Sequence, residues 1–252
     1  MNDQSKIIVA LDVSTLEEVD RLIVDLAPRV AAFKVGLQLI TRFGGPRAVD
    51  FIQSRGGKVF YDGKFYDIPN TVREASLAAV EMGVWAFNIA LQCGPKSVKA
   101  AAEVKGNSLL FGVSVLTTVS AWELWKMYLA HFFDPEAISR DENYLHSLIG
   151  DLTDSAEITG VDGLISSPKD LDPANCRHKM LKVTPGCRPV WANKDDQVRV
   201  MTPGEAAEAG ADYLVMGRPI LKPPKEIGGP VEASELINQE VAEALAEKAA
   251  KA

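Results

Sequence analysis

The sequence predicts an α/β protein folded as one (β/α)8 TIM barrel, a single domain over residues 1–252. Three observations predict it. Short apolar runs alternate with longer amphipathic stretches from end to end, the rhythm of repeated βα units around a parallel sheet. Eight such runs can be counted, in a chain of the length one barrel needs. Charged residues also stand at the ends of several runs, where a barrel carries its chemistry.

The runs lie near residues 7–12, 31–36, 58–62, 85–90, 109–116, 163–166, 181–184 and 213–217. Between them, Ser14-Thr-Leu-Glu17 and Thr202-Pro-Gly-Glu205 read as helix capping boxes, the second with Pro203 at the first helical position. Gly83 and Gly210 read as helix stops. The stretch from Ser120 to Gly160 is too long for one crossover and carries Trp122, Trp125, Tyr128, Phe132 and Phe133. It reads as two helices broken at Pro135. The Ala/Glu-rich tail after Gly229 places Leu236, Ile237, Val241 and Leu245 at helical spacing, which predicts a closing amphipathic helix.

The net charge is −7 and no basic face stands out, so neither nucleic acid nor an anionic membrane is an expected partner. Cys93, Cys176 and Cys187 are widely spaced and form no Cys-x-x-Cys pair, which argues against disulfides and thiolate metal sites and fits a reducing cytoplasm. The first residues pass into the first apolar run without a basic leader, and later runs are too short to span a bilayer. His131, His146 and His178 are scattered, without metal-ligand spacing, and read as surface or helix residues.

Asp12 ends the first run, Lys34 interrupts the second, and Asp62 and Lys64 end the third. Strand residues two apart share a face, so Asp62 and Lys64 should point the same way, into the barrel mouth. Strand-end salt bridges on a solvated rim are the plain alternative. Asp67 lies just beyond and need not face the same pocket; Pro69 can start the next helix. After the seventh run comes Thr184-Pro-Gly-Cys-Arg188-Pro, and after the eighth Gly217-Arg218-Pro-Ile, the two places where barrels often hold phosphate. Glycine lets the main chain approach an anion, and the Arg218 guanidinium can fork two of its oxygens. The polar stretch Val190 to Gln197 reads as a lid or as an ordinary loop.

Asp62-x-Lys64-x-x-Asp67-Ile-Pro-Asn-Thr71 resembles the orotidine 5'-phosphate decarboxylase family, supported by Ala10-Leu-Asp12, Phe33-Lys34-Val-Gly36, Thr184-Pro-Gly-x-Arg188-Pro and Gly217-Arg218-Pro-Ile. The resemblance covers nearly the full chain. It implies an enzyme converting orotidine 5'-phosphate to uridine 5'-phosphate and CO2 in pyrimidine biosynthesis, with no metal and no cofactor. Lys34, Asp62, Lys64 and Asp67 would line the substrate carboxylate, with Lys64 protonating C6. Asp12 and Lys34 would hold the ribose, Thr117 the base, and Arg188, Gln197, Gly217 and Arg218 the phosphate. The resemblance also implies a homodimer, with Asp67 and Thr71 reaching the site across the interface and Ile68 beside them among the substrate-binding residues.

Related magnesium-dependent barrels, keto-gulonate phosphate decarboxylases and hexulose phosphate synthases, share Asp-x-Lys-x-x-Asp but carry a metal-binding Glu where this chain has Lys34, whose ammonium would repel the ion. Ala90 stands where bacterial relatives usually have His, and at most altered packing or local hydrogen bonding is expected there. A phosphate-binding barrel without turnover is the third reading; the intact Asp62, Lys64 and Asp67 argue against it.

Overall fold

The computed structural model describes residues 5–128, 142–168, 171, 180–192 and 201–251. Eight parallel strands close into a barrel in chain order. They are β1 Ile7–Ala10, β2 Ala32–Val35, β3 Val59–Phe65, β4 Ala86–Ala90, β5 Leu109–Val113, β6 Gly163–Ile165, β7 Leu181–Pro185 and β8 Tyr213–Met216. β1 pairs with both β2 and β8, which closes the ring and leaves no sheet edge exposed. All eight runs read from the sequence are strands, with β3 ending three residues later than expected and β5 three residues earlier.

Alternation within these strands makes two cores. Ile8, Ala32, Phe60, Ala86, Phe111, Val183 and Val215 point inward and fill the barrel. Phe60 meets Phe111 edge-on at 5.4 Å between centroids, and Trp85 meets Tyr213 at 5.2 Å. Residues one position along, such as Ile7, Val9, Phe33 and Phe87, point outward and pack against the helices.

The first helix, α1 (Leu16–Leu26), buries Val19, Ile23 and Leu26 on one face. Its capping box is Thr15 with Glu18, one residue later than the Ser14–Glu17 pair read from the sequence. Thr15 takes the extended backbone of a cap and accepts from the Glu18 amide, while the Glu18 carboxylate accepts from the main chain of both Ser14 and Thr15. Next come α2 (Leu37–Phe43) and α3 (Gly45–Gln53), then α4 (Pro69–Glu81), which starts on Pro69 as expected. Gly83 follows α4 with φ +69°, the left-handed stop anticipated for it. After α5 (Pro95–Ala102), α6 (Ala121–Tyr128) and α7 (Glu142–Thr159) supply the two helices expected in the long crossover. Pro135, Phe132, Phe133, His131, Cys176 and His178 lie outside the described residues, as do the side chains of Trp125 and Tyr128. Trp122 does not join a core cluster; it is partly exposed, and the Lys126 ammonium sits 4.8 Å above its ring.

The Thr202–Glu205 box caps α8 (Pro203–Glu208), and Gly210 at φ +102° ends it. A short turn of helix, α9 (Arg218–Leu221), leads to α10 (Pro230–Lys251). There Ile237 and Val241 are buried and Leu245 is partly so, but Leu236 is 41 % exposed, one step round the helix from the buried stripe. At the base of the barrel, Asp162 accepts from the Leu110 amide and the Lys105 ammonium, both at 2.8 Å, and Asp212 accepts from the Lys182 amide. These bonds tie strand starts together, on the face of a barrel that serves stability. Among the described residues, no helix is long and apolar enough to cross a membrane.

Candidate active site

The inward positions at the top of β2, β3 and β4 are polar, in contrast to the apolar layer beneath. Lys34 sits one inward step above Ala32, Asp62 above Phe60 and Asn88 above Ala86. With Lys64 they border a cavity of about 220 Å³ whose other walls include Val113, Val115, Ile165, Pro185 and Val215, with Thr117 at the rim. Its dimensions and apolar walls suit a flat ring.

Asp62 is the centre of the charge arrangement. One carboxylate oxygen lies 2.6 Å from the Lys64 ammonium, and the other lies 3.0 Å from that of Lys34. The Lys34 ammonium is also 3.8 Å from Asp12, which stands two residues beyond β1 and is half exposed. Burial alone would push the Asp62 carboxyl up. The two ammoniums, with hydrogen bonds from Lys64 and Asn88, outweigh that and hold it below its ordinary value of 3.8. Gly36, directly after β2, leaves room for this cluster: a Cβ there would lie 2.8 Å from the Lys34 nitrogen.

Asp62 and Lys64 converge as expected, but regular strand alternation is not the cause. Between Tyr61 and Phe65 the pairing of β3 with β4 shifts register, with Tyr61 opposite Phe87 and Phe65 opposite Ile89. Within this irregularity Lys64 has φ +47°, the one non-glycine positive φ among the described residues. Such a backbone costs on the order of 1–3 kcal/mol and persists where surrounding contacts enforce it. Asn88 supplies one, accepting from the Lys64 amide at 2.7 Å and donating to Asp62 at 2.6 Å. Sequence reasoning missed Asn88. A signal was present: it is a polar residue in the apolar run Trp85–Ala90, on the inward parity shared with Ala86 and Ala90, as Lys34 is in its own run.

Asp67 stands apart from this cavity. It is exposed, its carboxylate accepts from the Ile68 amide at 2.7 Å, and its carbonyl accepts from the Ser97 hydroxyl at 2.8 Å. Ile68, 66 % exposed, and Thr71 lie on the same outer surface, beside an open groove of about 620 Å³ bordered by Tyr66, Asp67, Gln92 and Lys96. Among the described residues, one chain therefore brings together Asp12, Lys34, Asp62, Lys64 and Thr117, without Asp67, Ile68 or Thr71.

Gly217 lies next to Asp12, whose carboxylate is 3.4 Å from where a Gly217 Cβ would be, so the ends of β1 and β8 adjoin. Arg218 is exposed at the start of α9. Arg188 is buried, with its main chain donating to the Met201 carbonyl and its guanidinium to the Cys187 carbonyl. The Cys187 thiol beneath it is pushed up to about 12 by burial. Gln197 lies outside the described residues, and Val190, at the start of the same stretch, is exposed. Ala90 ends β4 opposite Val113, and a single 3-10 turn, Leu91–Cys93, follows.

Fold and site together define a barrel enzyme whose charged side chains meet at the C-terminal ends of neighbouring strands, above a closed apolar interior. The chain belongs to the orotidine 5'-phosphate decarboxylase / HUMPS family, whose model matches residues 5–229. It is 40 % identical to an orotidine 5'-phosphate decarboxylase of Geotalea uraniireducens, over 94 % of this chain and 95 % of that one. It is 37 % identical to the enzyme of the same name from Trichlorobacter lovleyi, over the same shares. Among solved structures, the orotidine 5'-phosphate decarboxylase of Lactobacillus acidophilus superposes with a TM-score of 0.74 at 27 % identity, over 94 % of this chain and 99 % of that one.

Proposed function

We propose that this chain decarboxylates orotidine 5'-phosphate to uridine 5'-phosphate and CO2 in pyrimidine biosynthesis, without a metal, and that Lys64 is the proton donor. The observation that carries the proposal is the line Lys34–Asp62–Lys64 beside a ring-sized cavity, with 3.0 and 2.6 Å between successive charges. Breaking the bond from C6 to its carboxylate leaves the electron pair in the ring plane, where the pyrimidine delocalises it poorly. An ammonium facing C6 stabilises that pair as it forms and then gives it a proton. CO2 departs, C6 gains the Lys64 proton, and the neutral amine is reprotonated from solvent. Asp62, held ionised between two cations, fixes the Lys64 ammonium and faces the carboxylate that leaves.

Asp12 and Lys34 take the ribose and Thr117 the base. Gly217, beside Asp12 at the rim, and Arg218 take the phosphate with Arg188 and Gln197. Binding of that remote group supplies energy for orienting the ring. The enzyme is a homodimer, with the partner subunit completing the site through its own Asp67, Ile68 and Thr71. Two features support this: Asp67 lies outside its own chain's cavity, and Tyr66 and Ile68 leave an exposed apolar surface that a second subunit would cover.

Lys34 favours the metal-free branch, because its ammonium occupies the side of Asp62 on which a cation would have to bind. Purified protein should therefore turn over orotidine 5'-phosphate in EDTA, followed by pyrimidine absorbance; turnover that appears only with magnesium overturns the metal-free reading. Lys64→Ala should lower kcat by about 10⁴-fold while uridine 5'-phosphate still binds, and a near-normal rate would remove Lys64 from its role.

A further inference from the structure

Asn88 is fully buried and stands opposite the place where β3 leaves its ladder. β3 advances from Tyr61 to Phe65 while β4 advances only from Phe87 to Ile89, and Asn88 occupies the step between. There its side chain takes the Lys64 amide at 2.7 Å, a bond that a main-chain carbonyl makes in a regular strand. Its own amide nitrogen donates to the Asp62 oxygen that also receives the Lys64 ammonium, at 2.6 Å each. The Asn88 amide, the Lys64 main chain, the Lys64 ammonium and the Asp62 carboxylate thus close a ring of contacts around the left-handed backbone of Lys64.

We propose that Asn88 is a positioning residue for decarboxylation, holding Lys64 in its left-handed conformation so that the ammonium is fixed against Asp62 and aimed into the cavity. The proposal rests on Lys64 being the proton donor. Only a neutral group with one donor and one acceptor a fixed distance apart fits both contacts. A hydrophobic residue of similar size would fill the space but leave a buried amide and one carboxylate contact unmet. The charged groups facing Asn88 are Asp62 and Lys64 on β3, with Lys34 on β2 beyond Asp62. On its other side, β5 presents Phe111 in register, which carries no charge.

The test uses Asn88→Ala and Asn88→Asp in the full chain, with kcat, KM and uridine 5'-phosphate affinity measured across pH. Misplacing a catalytic group by about 1 Å costs on the order of 10²-fold, and Asn88→Ala should lose about that much in kcat, with KM and product affinity within about threefold of wild type. Asn88→Asp keeps the shape and separates positioning from packing. Ionised, it sets a second carboxylate against Asp62, and two such groups cannot both stay charged, so one titrates well above its ordinary value. Protonated, it restores the donor and the acceptor. Its kcat relative to wild type should therefore rise about tenfold or more as pH falls, whereas that of Asn88→Ala should stay low and flat. A kcat for Asn88→Ala near wild type, or a flat ratio for Asn88→Asp, overturns the proposal even if both variants melt earlier. If Asn88→Ala does not fold, the Asn88→Asp profile decides alone. Lys64→Ala, inactive in the same assay, keeps the proton-donor reading separate: its loss with Asn88→Ala unaffected refutes only the role of Asn88.

Discussion

Gly36→Ala tests the charge line without removing any of its members. A Cβ at this position would sit 2.8 Å from the Lys34 nitrogen, 3.8 Å from Asp62 and 3.9 Å from Asp12. Gly36 has φ −96°, which alanine adopts readily, so the backbone is not strained. The tight neighbour is the far end of a flexible side chain. An ordinary contact needs about 3.5 Å, so the ammonium must withdraw by about 0.7 Å. Taken along the line to Asp62, the pair opens from 3.0 Å to roughly 3.7 Å. At an effective dielectric constant of about 20, the Coulomb attraction then falls from about 5.5 to about 4.5 kcal/mol. That difference of about 1 kcal/mol is worth roughly fivefold in rate if it is expressed wholly in the transition state, and displacement of the aligned groups can raise it toward 10²-fold. We expect kcat/KM to fall by between about fivefold and 10²-fold, with the thermal midpoint shifted by no more than about 3 °C, near what 1 kcal/mol gives in a chain of this size. Absorbance assays and differential scanning fluorimetry measure the two quantities. An unchanged kcat/KM refutes the idea that the position of Lys34 matters to the chemistry, and a collapse of the midpoint refutes the claim that its ammonium simply yields.

The pH dependence follows from the sign of the Asp62 shift. Its folded pKa lies below the ordinary 3.8, so its contribution to stability is present above the unfolded value and lost as pH falls through the folded one. Asp62→Asn should therefore flatten the acid limb of stability below about pH 4, measured by urea midpoints; an unchanged limb contradicts the assignment. For the shared site, mixing inactive Lys64→Ala and Asp67→Ala chains should restore activity in hybrid dimers that hold one intact site. Failure despite demonstrated subunit exchange counts against Asp67 serving a partner.

Much of the architecture was legible because its cause is local. Apolar runs of four to eight residues separated by amphipathic stretches have few ways to bury themselves other than as strands and covering helices. Misplacements occurred where two local solutions were nearly equal. Ser14 and Thr15 can both cap, and Glu17 and Glu18 can both return, so the capping box was read one residue early. Leu236 and Ile237 are adjacent, and which of them faces the barrel depends on how the last helix docks. At the site, Lys34 and Asp62 were conspicuous as charges in apolar runs. The conformation of Lys64 was not, because it arises from a mismatch between two strands that neither shows alone. Asn88 was overlooked for the related reason that its partners lie on another strand, more than twenty residues away. Asp67 lies past the end of β3, where the chain has already left the strand for α4, and its side chain is exposed.

The aromatic layer beneath the cavity bears on how the reaction ends. Phe60 and Phe111, with Trp85 and Tyr213 below them, stop the barrel like a cork. If decarboxylation takes place beside Lys64 as proposed, the CO2 set free there meets this packed aromatic floor on one side and the mouth of the cavity on the other. The order of departure is then set at the rim. A cover over the bound nucleotide would also detain CO2, and while both remained, the newly made C6–H bond would face the reverse reaction. Widening the floor, as in Phe60→Ala, would give the gas somewhere else to wait.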